Sequence, residues 1–325
     1  MAEAALGASR SVPGSALELA RTWGPRLPLP GQGQTRLLWE ALATVAAVDL
    51  SVARTLEPHV DALAILAESG GSAPDGTTWG VFAAEGPGVR LEAVEDGGSW
   101  TLHGTKPWCS LAGDLSHALV TAWTGPQDRR LFEVSLEQPG VRVEPATWHA
   151  RGLRDIASGP VTFERAPARP VGESGWYLRR DGFAWGGLGV AAVWYGGAVG
   201  LARLLTAAAA RRAPDQIALM HLGAVDARLH AARSSLLEAA AEIDAGRAPG
   251  DAGNLLAARV RQVVAGAAEQ TLVDVGHALG PAPLALDPVV AGRAADLALY
   301  LRQHHAERDA AALGDLLLEG SGQWA

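Results

Sequence analysis

The sequence predicts a mainly helical protein with an antiparallel β-domain inserted between two helical parts. Apolar residues recur at helical spacing before about residue 70, switch to short alternating runs, and return to helical spacing after Asp181. The strand-like runs follow one another without helices between them, and no Gly-x-Gly-x-x-Gly stands between a strand and a helix, which disfavours a doubly wound nucleotide fold. With 325 residues and 48% hydrophobic content, the chain can bury a sizeable core. Residues 1–72 read as a short N-terminal helical region, 73–172 as the β-domain and 173–325 as a helical bundle.

The first helical stretch runs from Leu17 to Glu68, clearest in TRLLWEALATVAAVDLSVARTLEPHVDALAILAES, and closes in the loop Gly70-Gly71-Ser72-Ala73-Pro74-Asp75-Gly76. Alternation at Val89, Leu91 and Ala93, at Trp100 and Leu102, and at Phe132, Val134 and Leu136 predicts strands. Asp96-Gly97-Gly98 supplies the positive φ values of a tight turn, so VRLEAVEDGGSWTLHG reads as one antiparallel hairpin. ALVTAW, VRVEP and GPVTFE read as further strands. After Asp181, four helical segments are expected, broken at Arg212-Ala213-Pro214-Asp215, at Gly246 to Gly253 and at Gly280-Pro281-Ala282-Pro283. In the second, Leu222, Leu229, Leu236 and Ile243 recur every seven residues with Val225, Ala232 and Ala239 between them, the stripe of a helix in a four-helix bundle.

Composition narrows the partners. The net charge of -8 argues against a general nucleic-acid binder or an anionic-membrane binder. A single cysteine, Cys109, allows no internal disulfide and suits a reducing compartment. The first twenty residues lack the basic start and apolar stretch of a signal peptide, so a cytoplasmic location is expected. The uncharged stretch Gly182 to Ala202 reaches the length of a membrane span. It is rich in Gly and Ala, and Gly196 and Gly200 would permit close backbone approach, so it reads as the central helix of a bundle.

Two passages resemble the acyl-CoA dehydrogenase family. GSWTLHGTKPWCSLAGDLSHALVTA at 98–122 is similar to a strand of that family, through Gly104, Lys106, Trp108, Cys109 and Ser110. GLRDIASGPVTFERAPARP at 152–170 is similar to the family's Gly-x-Arg followed by a strand and a proline. The resemblance implies an acyl-CoA dehydrogenase-like fold, bound FAD, and a homodimer or homotetramer whose FAD sites are shared between subunits. It places Trp108 and Ser110 beside the flavin ring, where an indole offers a flat apolar wall and a hydroxyl can hydrogen-bond a ring heteroatom. Read without the resemblance, Trp108 is β-domain core and Ser110 a strand-end polar group. Arg212, or its neighbour Arg211, matches the family arginine that meets the FAD pyrophosphate, and the same pair also reads as solvated cations at a helix end. Gly280 alone survives from the family turn that touches a neighbouring subunit's FAD. The threonine and serine hydroxyls of another family flavin motif are missing from Val81-Phe82-Ala83-Ala84-Glu85-Gly86-Pro87-Gly88.

Acyl-CoA dehydrogenation, in which a flavin accepts hydride across a CH–CH bond, requires a carboxylate to remove the α-proton. The family's Glu-Gly-Thr motif is absent, and no carboxylate occurs between Asp181 and Asp215. By the resemblance, counting from Arg293 and Asp296 along ADLALYLRQHHAERDAAALG lands the base position on His304 or His305, with Glu307 close by. As a continuous helix this string also reads as an ordinary polar face, with His305 and Asp309 on one side and His304 and Arg308 on another. His-x-x-x-Asp is in addition similar to the flavin monooxygenase branch of the superfamily. A metal site is the weakest reading, because no third patterned ligand group appears. Three functions follow as expectations: a flavin oxidoreductase acting on an acyl thioester, such as a CoA ester, or a similar carbonyl-activated substrate; a flavin monooxygenase; and a non-catalytic relative with an assembly role.

Overall fold

The computed structural model describes residues 1–8, 13–145, 148–211 and 213–319. The N-terminal part holds helices α1 (Ala2–Ala8), α2 (Gly14–Trp23), α3 (Thr35–Val48) and α4 (Leu50–Glu68). Helix α4 starts at Asp49, whose carboxylate accepts the Val52 N–H at 3.1 Å, a side-chain N-cap. Pro58 lies inside it and has no N–H for the Arg54 carbonyl, so one rung of the helical ladder is missing beside Arg54 and Glu57.

The β-domain contains β1 (Trp79–Phe82), β2 (Leu91–Asp96), β3 (Ser99–Ser110), β4 (His117–Trp123), β5 (Arg129–Ser135), β6 (Val141–Val143) and β7 (Ser158–Val171). The hairpin of β2 and β3 forms as predicted, with Gly97 at φ 58° and Gly98 at φ 85° in its two-residue turn. The sheet as a whole corrects the antiparallel expectation. It is mixed and closes on itself: β4 pairs β1 in parallel, touches β2 in parallel at Glu92 and Trp123, and pairs β5 antiparallel, while β7 joins β3 to β5. The reason is that the chain leaves β3 through a turn at 111–116 and lays β4 beside β1 instead of folding back on β3. Among the described strands, β2–β3, β4–β5 and β6–β7 are neighbours both in sequence and in the sheet.

The short helix α5 (Trp176–Arg179) leads into three long helices, α6 (Asp181–Ala210), α7 (Gln216–Asp244) and α8 (Gly250–Leu279). The predicted fourth segment is divided into α9 (Pro281–Leu286), α10 (Pro288–Tyr300), a 3-10 turn at Leu301–Gln303, and α11 (Glu307–Glu319). The bundle is therefore three long helices with the shorter α10 against α6. On α7, Val225, Ala232, Leu236, Ala239 and Ile243 are buried as the seven-residue stripe requires. Helix α6 is long and apolar enough to cross a bilayer, and 67% of its apolar window is buried inside the protein. Its glycines explain how closely α3 approaches. A Cβ on Gly196 would stand 2.3 Å from the Ala43 carbonyl oxygen, and one on Gly200 2.9 Å from that of Ala47. Arg293 of α10 locks the same crossing, donating to the carbonyls of Ala47, Val48 and Gly200 at 2.8–3.1 Å and so satisfying C-terminal carbonyls of α3.

This crossing predicts substitutions of opposite sign. Gly196→Ala should destabilise the protein by about 1–3 kcal/mol because the neighbouring backbone must shift. Gly266→Ala on α8, where a Cβ meets nothing within 4 Å, should stabilise it by about 0.5–1 kcal/mol. Denaturant titration of both variants reads the difference; two shifts of the same sign would contradict the packing described.

Candidate active site

Two cavities with a shared border lie where α4 passes between the β-domain and the C-terminal helices. The larger, about 640 Å³, is walled by Arg54, Glu57 and Pro58 of α4, by Trp108 and Ser110 at the end of β3, by Ser158 at the start of β7, and by Tyr300. The smaller, about 440 Å³, lies among α4, α6, α8 and the chain after α10, with Asp61, Arg180, Arg261, His304 and Asp309 in its wall. Glu57, Asp61, Tyr177, Val190, Gln303 and His305 border both.

Trp108 reaches the larger cavity because β3 is irregular there. The pairing of β3 with β7 shifts register between Lys106 and Cys109, and Trp108 takes φ 59°, a left-handed conformation costly for a bulky residue. Its indole is 59% exposed, so it is not the barrel-core residue that strand alternation alone suggests. Beneath the bulge, the buried Lys106 ammonium donates to Glu85 at 2.7 Å and to the Thr121 hydroxyl at 2.9 Å, which neutralises a charge inside the barrel. Burial pulls the Lys106 pKa down, and the Glu85 pair opposes that pull.

From Ser110 a polar line crosses to the helices. Ser110 Oγ lies 2.7 Å from Ser158 Oγ and accepts from Arg54 Nη2 at 3.2 Å. Arg54 stands 4.0 Å from Glu57 Oε2, and the Tyr300 hydroxyl donates to that same oxygen at 3.2 Å. Glu57 is 8% exposed, and its pKa is pushed up to about 7. Burial is the main cause; the Arg54 charge opposes it and Asp61 adds to it. One helical turn on, burial also raises Asp61, against the Arg180 guanidinium 3.9 Å away. Arg180 is shared with Glu68 at 2.6 Å. Across the smaller cavity, Arg261 donates to the Gly187 carbonyl at 2.7 Å and lies over the Trp194 ring.

The structure distributes the sequence-predicted residues unevenly. Trp108 and Ser110 share a wall of the larger cavity, and His305 borders both cavities. His304 is buried in the smaller one, edge-on to Trp194, with burial lowering its pKa and Asp309 opposing. Glu307 is exposed in the first turn of α11 and lines neither cavity. The stretch 303–309 is not one helix: His304 is extended, Ala306 has φ 49°, and α11 starts only at Glu307, with Asp309 accepting from the His305 N–H at 3.1 Å. Gly280 forms the left-handed break between α8 and α9, away from both cavities. Arg212 lies outside the described residues, and Arg211 is exposed at the end of α6. Sequence reasoning missed Arg54, Glu57 and Tyr300. A signal existed, since Arg54, Glu57 and Asp61 fall at i, i+3 and i+7 among the apolar residues of α4.

With this geometry in hand, comparison with known proteins places the fold. Residues 80–166, from β1 into β7, match the family model of the acyl-CoA dehydrogenase middle domain. Among solved structures, the chain is similar to a nitrososynthase from Micromonospora carbonacea var. africana, at 19% identity over 100% of this chain and 93% of that one, with a TM-score of 0.79. It is similar to butyryl-CoA dehydrogenase from Megasphaera elsdenii, at 18% identity over 86% and 81% of the two chains and a TM-score of 0.76. A third likeness is to dibenzothiophene monooxygenase from Paenibacillus sp. A11-2 in complex with FMN and indole, at 18% identity over 97% of each chain and a TM-score of 0.71. No curated protein matches. The protein is thus built on the acyl-CoA dehydrogenase-like fold, and its β-domain is of the acyl-CoA dehydrogenase middle-domain type.

The buried Glu57 makes stability pH-dependent. An unfolded glutamate releases its proton near the ordinary 4.5, and the folded one holds it to about 7. This group therefore favours the folded state below about pH 4.5, and the advantage disappears as the pH rises to about 7, a swing on the order of 3 kcal/mol at most. The stability of the wild type minus that of Glu57→Gln, measured by denaturant titration between about pH 4 and pH 8, should fall by an amount of that order. A flat difference would show that Glu57 ionises normally.

Proposed function

We propose that this chain is a flavin-dependent oxidoreductase that holds the flavin ring in the larger cavity and an acyl thioester or similar carbonyl-activated substrate in the smaller one. The observation that carries the reading is the shared border of the two cavities, which sets groups lining one beside groups lining the other. The residues fit a flavin by the chemistry of the donor set. Trp108, aimed outward by the bulge, offers a flat apolar face, Ser110 and Ser158 offer hydroxyls, and Arg54 offers a fixed positive charge. A bound flavin would supply the capacity to accept two electrons. FAD is the cofactor proposed, in an assembly of two or four chains, and FMN is the alternative in view of its presence in the dibenzothiophene monooxygenase complex.

A second reading, flavin monooxygenase, is favoured by the polar wall of the smaller cavity. Arg180, Arg261, His304 and Asp309 suit a polar substrate better than a plain alkyl chain.

Fluorescence titration of the purified protein with FAD and with FMN tests the proposal. At least one should bind, and Trp108→Ala and Ser110→Ala should each weaken it by about tenfold, the loss of roughly one stacking contact or hydrogen bond. Binding of neither flavin would sink both readings. Anaerobic butyryl-CoA should then bleach the bound flavin; a bound flavin that it leaves oxidised would remove the dehydrogenase reading and leave the monooxygenase.

A further inference from the structure

Resting on the proposed function, we propose that Glu57, on a helix N-terminal to the β-domain, is the catalytic residue that takes the proton from the substrate in the smaller cavity. The geometry divides its two carboxylate oxygens. Oε2 accepts from the Tyr300 hydroxyl and faces Arg54, while Oε1 has no hydrogen bond among the described residues. Because Glu57 borders both cavities, Oε1 is the oxygen left for a ligand, and the tie at Oε2 fixes the carboxylate plane. Glu57 also stands beside Arg54, the α4 side chain that touches Ser110 on the proposed flavin wall.

The other acidic groups near the cavities are less suited. Asp61 sits a turn farther from Ser110, against Arg180. Asp309 is committed to the His305 N–H and to the two histidine rings. Glu85 is held by Lys106 and Arg129.

In the step assigned to Glu57, a C–H bond next to the substrate carbonyl breaks and its proton moves to Oε1, turning the carboxylate into the neutral acid. A bound flavin would supply the acceptor for the hydride, two electrons and a proton, that must leave the neighbouring carbon for a C=C bond to form. The proton leaves Oε1 for solvent before the next turnover. Tyr300 is a positioning residue: it holds Oε2 and lines the larger cavity but not the smaller one. The groups around the carboxylate match a residue that must cycle through both states. Burial favours the acid, as does the Asp61 charge on the same helix, while Arg54 of α4, Arg261 of α8 and the Tyr300 hydroxyl favour the carboxylate. The balance near neutrality suits a general base.

The test uses the full chain, as wild type and Glu57→Gln. Infrared difference spectra of the flavin-free protein between about pH 5 and pH 9 should show a carboxylic C=O band that the wild type loses near neutrality and the variant lacks. FAD and FMN affinities should agree within about threefold. The rate of anaerobic bleaching by butyryl-CoA should fall by about 10²- to 10⁴-fold in Glu57→Gln, the usual contribution of a general base. In Tyr300→Phe, with flavin bound at saturation, the pH at which the bleaching rate rises should move. A variant that binds flavin and is bleached at the wild-type rate overturns the assignment and leaves the proposed function standing. So does an infrared band unaffected by the substitution. A wild type that binds no flavin, or binds it without bleaching, overturns the flavoprotein or the dehydrogenase reading respectively, and the assignment with it.

Discussion

Helix α4 has to bury carboxylates inside a low-dielectric seam, and much of the site follows from how that cost is met. An isolated buried charge is expensive, so each acidic group on α4 is matched. Glu57 faces Arg54 and takes the Tyr300 hydroxyl, while Asp61 faces Arg180, which is itself held by Glu68. Arg54 belongs to α4 itself, but Tyr300 ends α10 and Arg180 precedes α6. Neutralising α4 thus ties the N-terminal helices to the C-terminal ones, and the tie through Arg54 to Ser110 reaches the barrel. The missing rung at Pro58 sits in the turn where these ties converge.

The barrel meets this helix with a deliberate irregularity. A regular β3 would turn alternate residues inward and outward without interruption, and Trp108 would follow that alternation. The register shift and the positive φ of Trp108 re-aim the indole, while Lys106 and Cys109 on either side stay buried. Strain of this kind persists only where surrounding contacts hold it, and the Lys106 pair with Glu85 and Thr121 supplies one such hold. The flat wall of the larger cavity and the buried ammonium behind it are two faces of one local defect.

What could be read in the sequence was local. The turn at Asp96-Gly97-Gly98, the stripe on α7 and the small residues of α6 each act over a few neighbours, and the structure shows all three. The closure of the sheet depends on β4 choosing β1 over β3, a pairing across 38 positions that no local pattern encodes. The break at His304–Ala306 was invisible because its residues suit a helix, and it is Asp309 capping His305 that restarts the chain at Glu307. The family positions near the C-terminus carry His304, His305 and Glu307, whereas Glu57 is buried on α4, and single-helix reading could show only that Glu57 and Asp61 interrupt an apolar face.

Helix α4 also belongs to two separate hydrophobic cores. Leu50, Ala53, Leu56 and Val60 pack in the large one, while Ala62, Ile65 and Leu66 pack with Trp79, Leu119, Leu131 and Tyr177 in a second. Glu57 and Asp61 fall around the place where one core hands over to the other. Close-packed interiors resist changes of volume, but a boundary between two of them can widen or narrow while each keeps its own contacts. The rod that holds the acidic groups is thereby clamped in one core at its start and in the other at its end, with both cavities bordering the carboxylates between them.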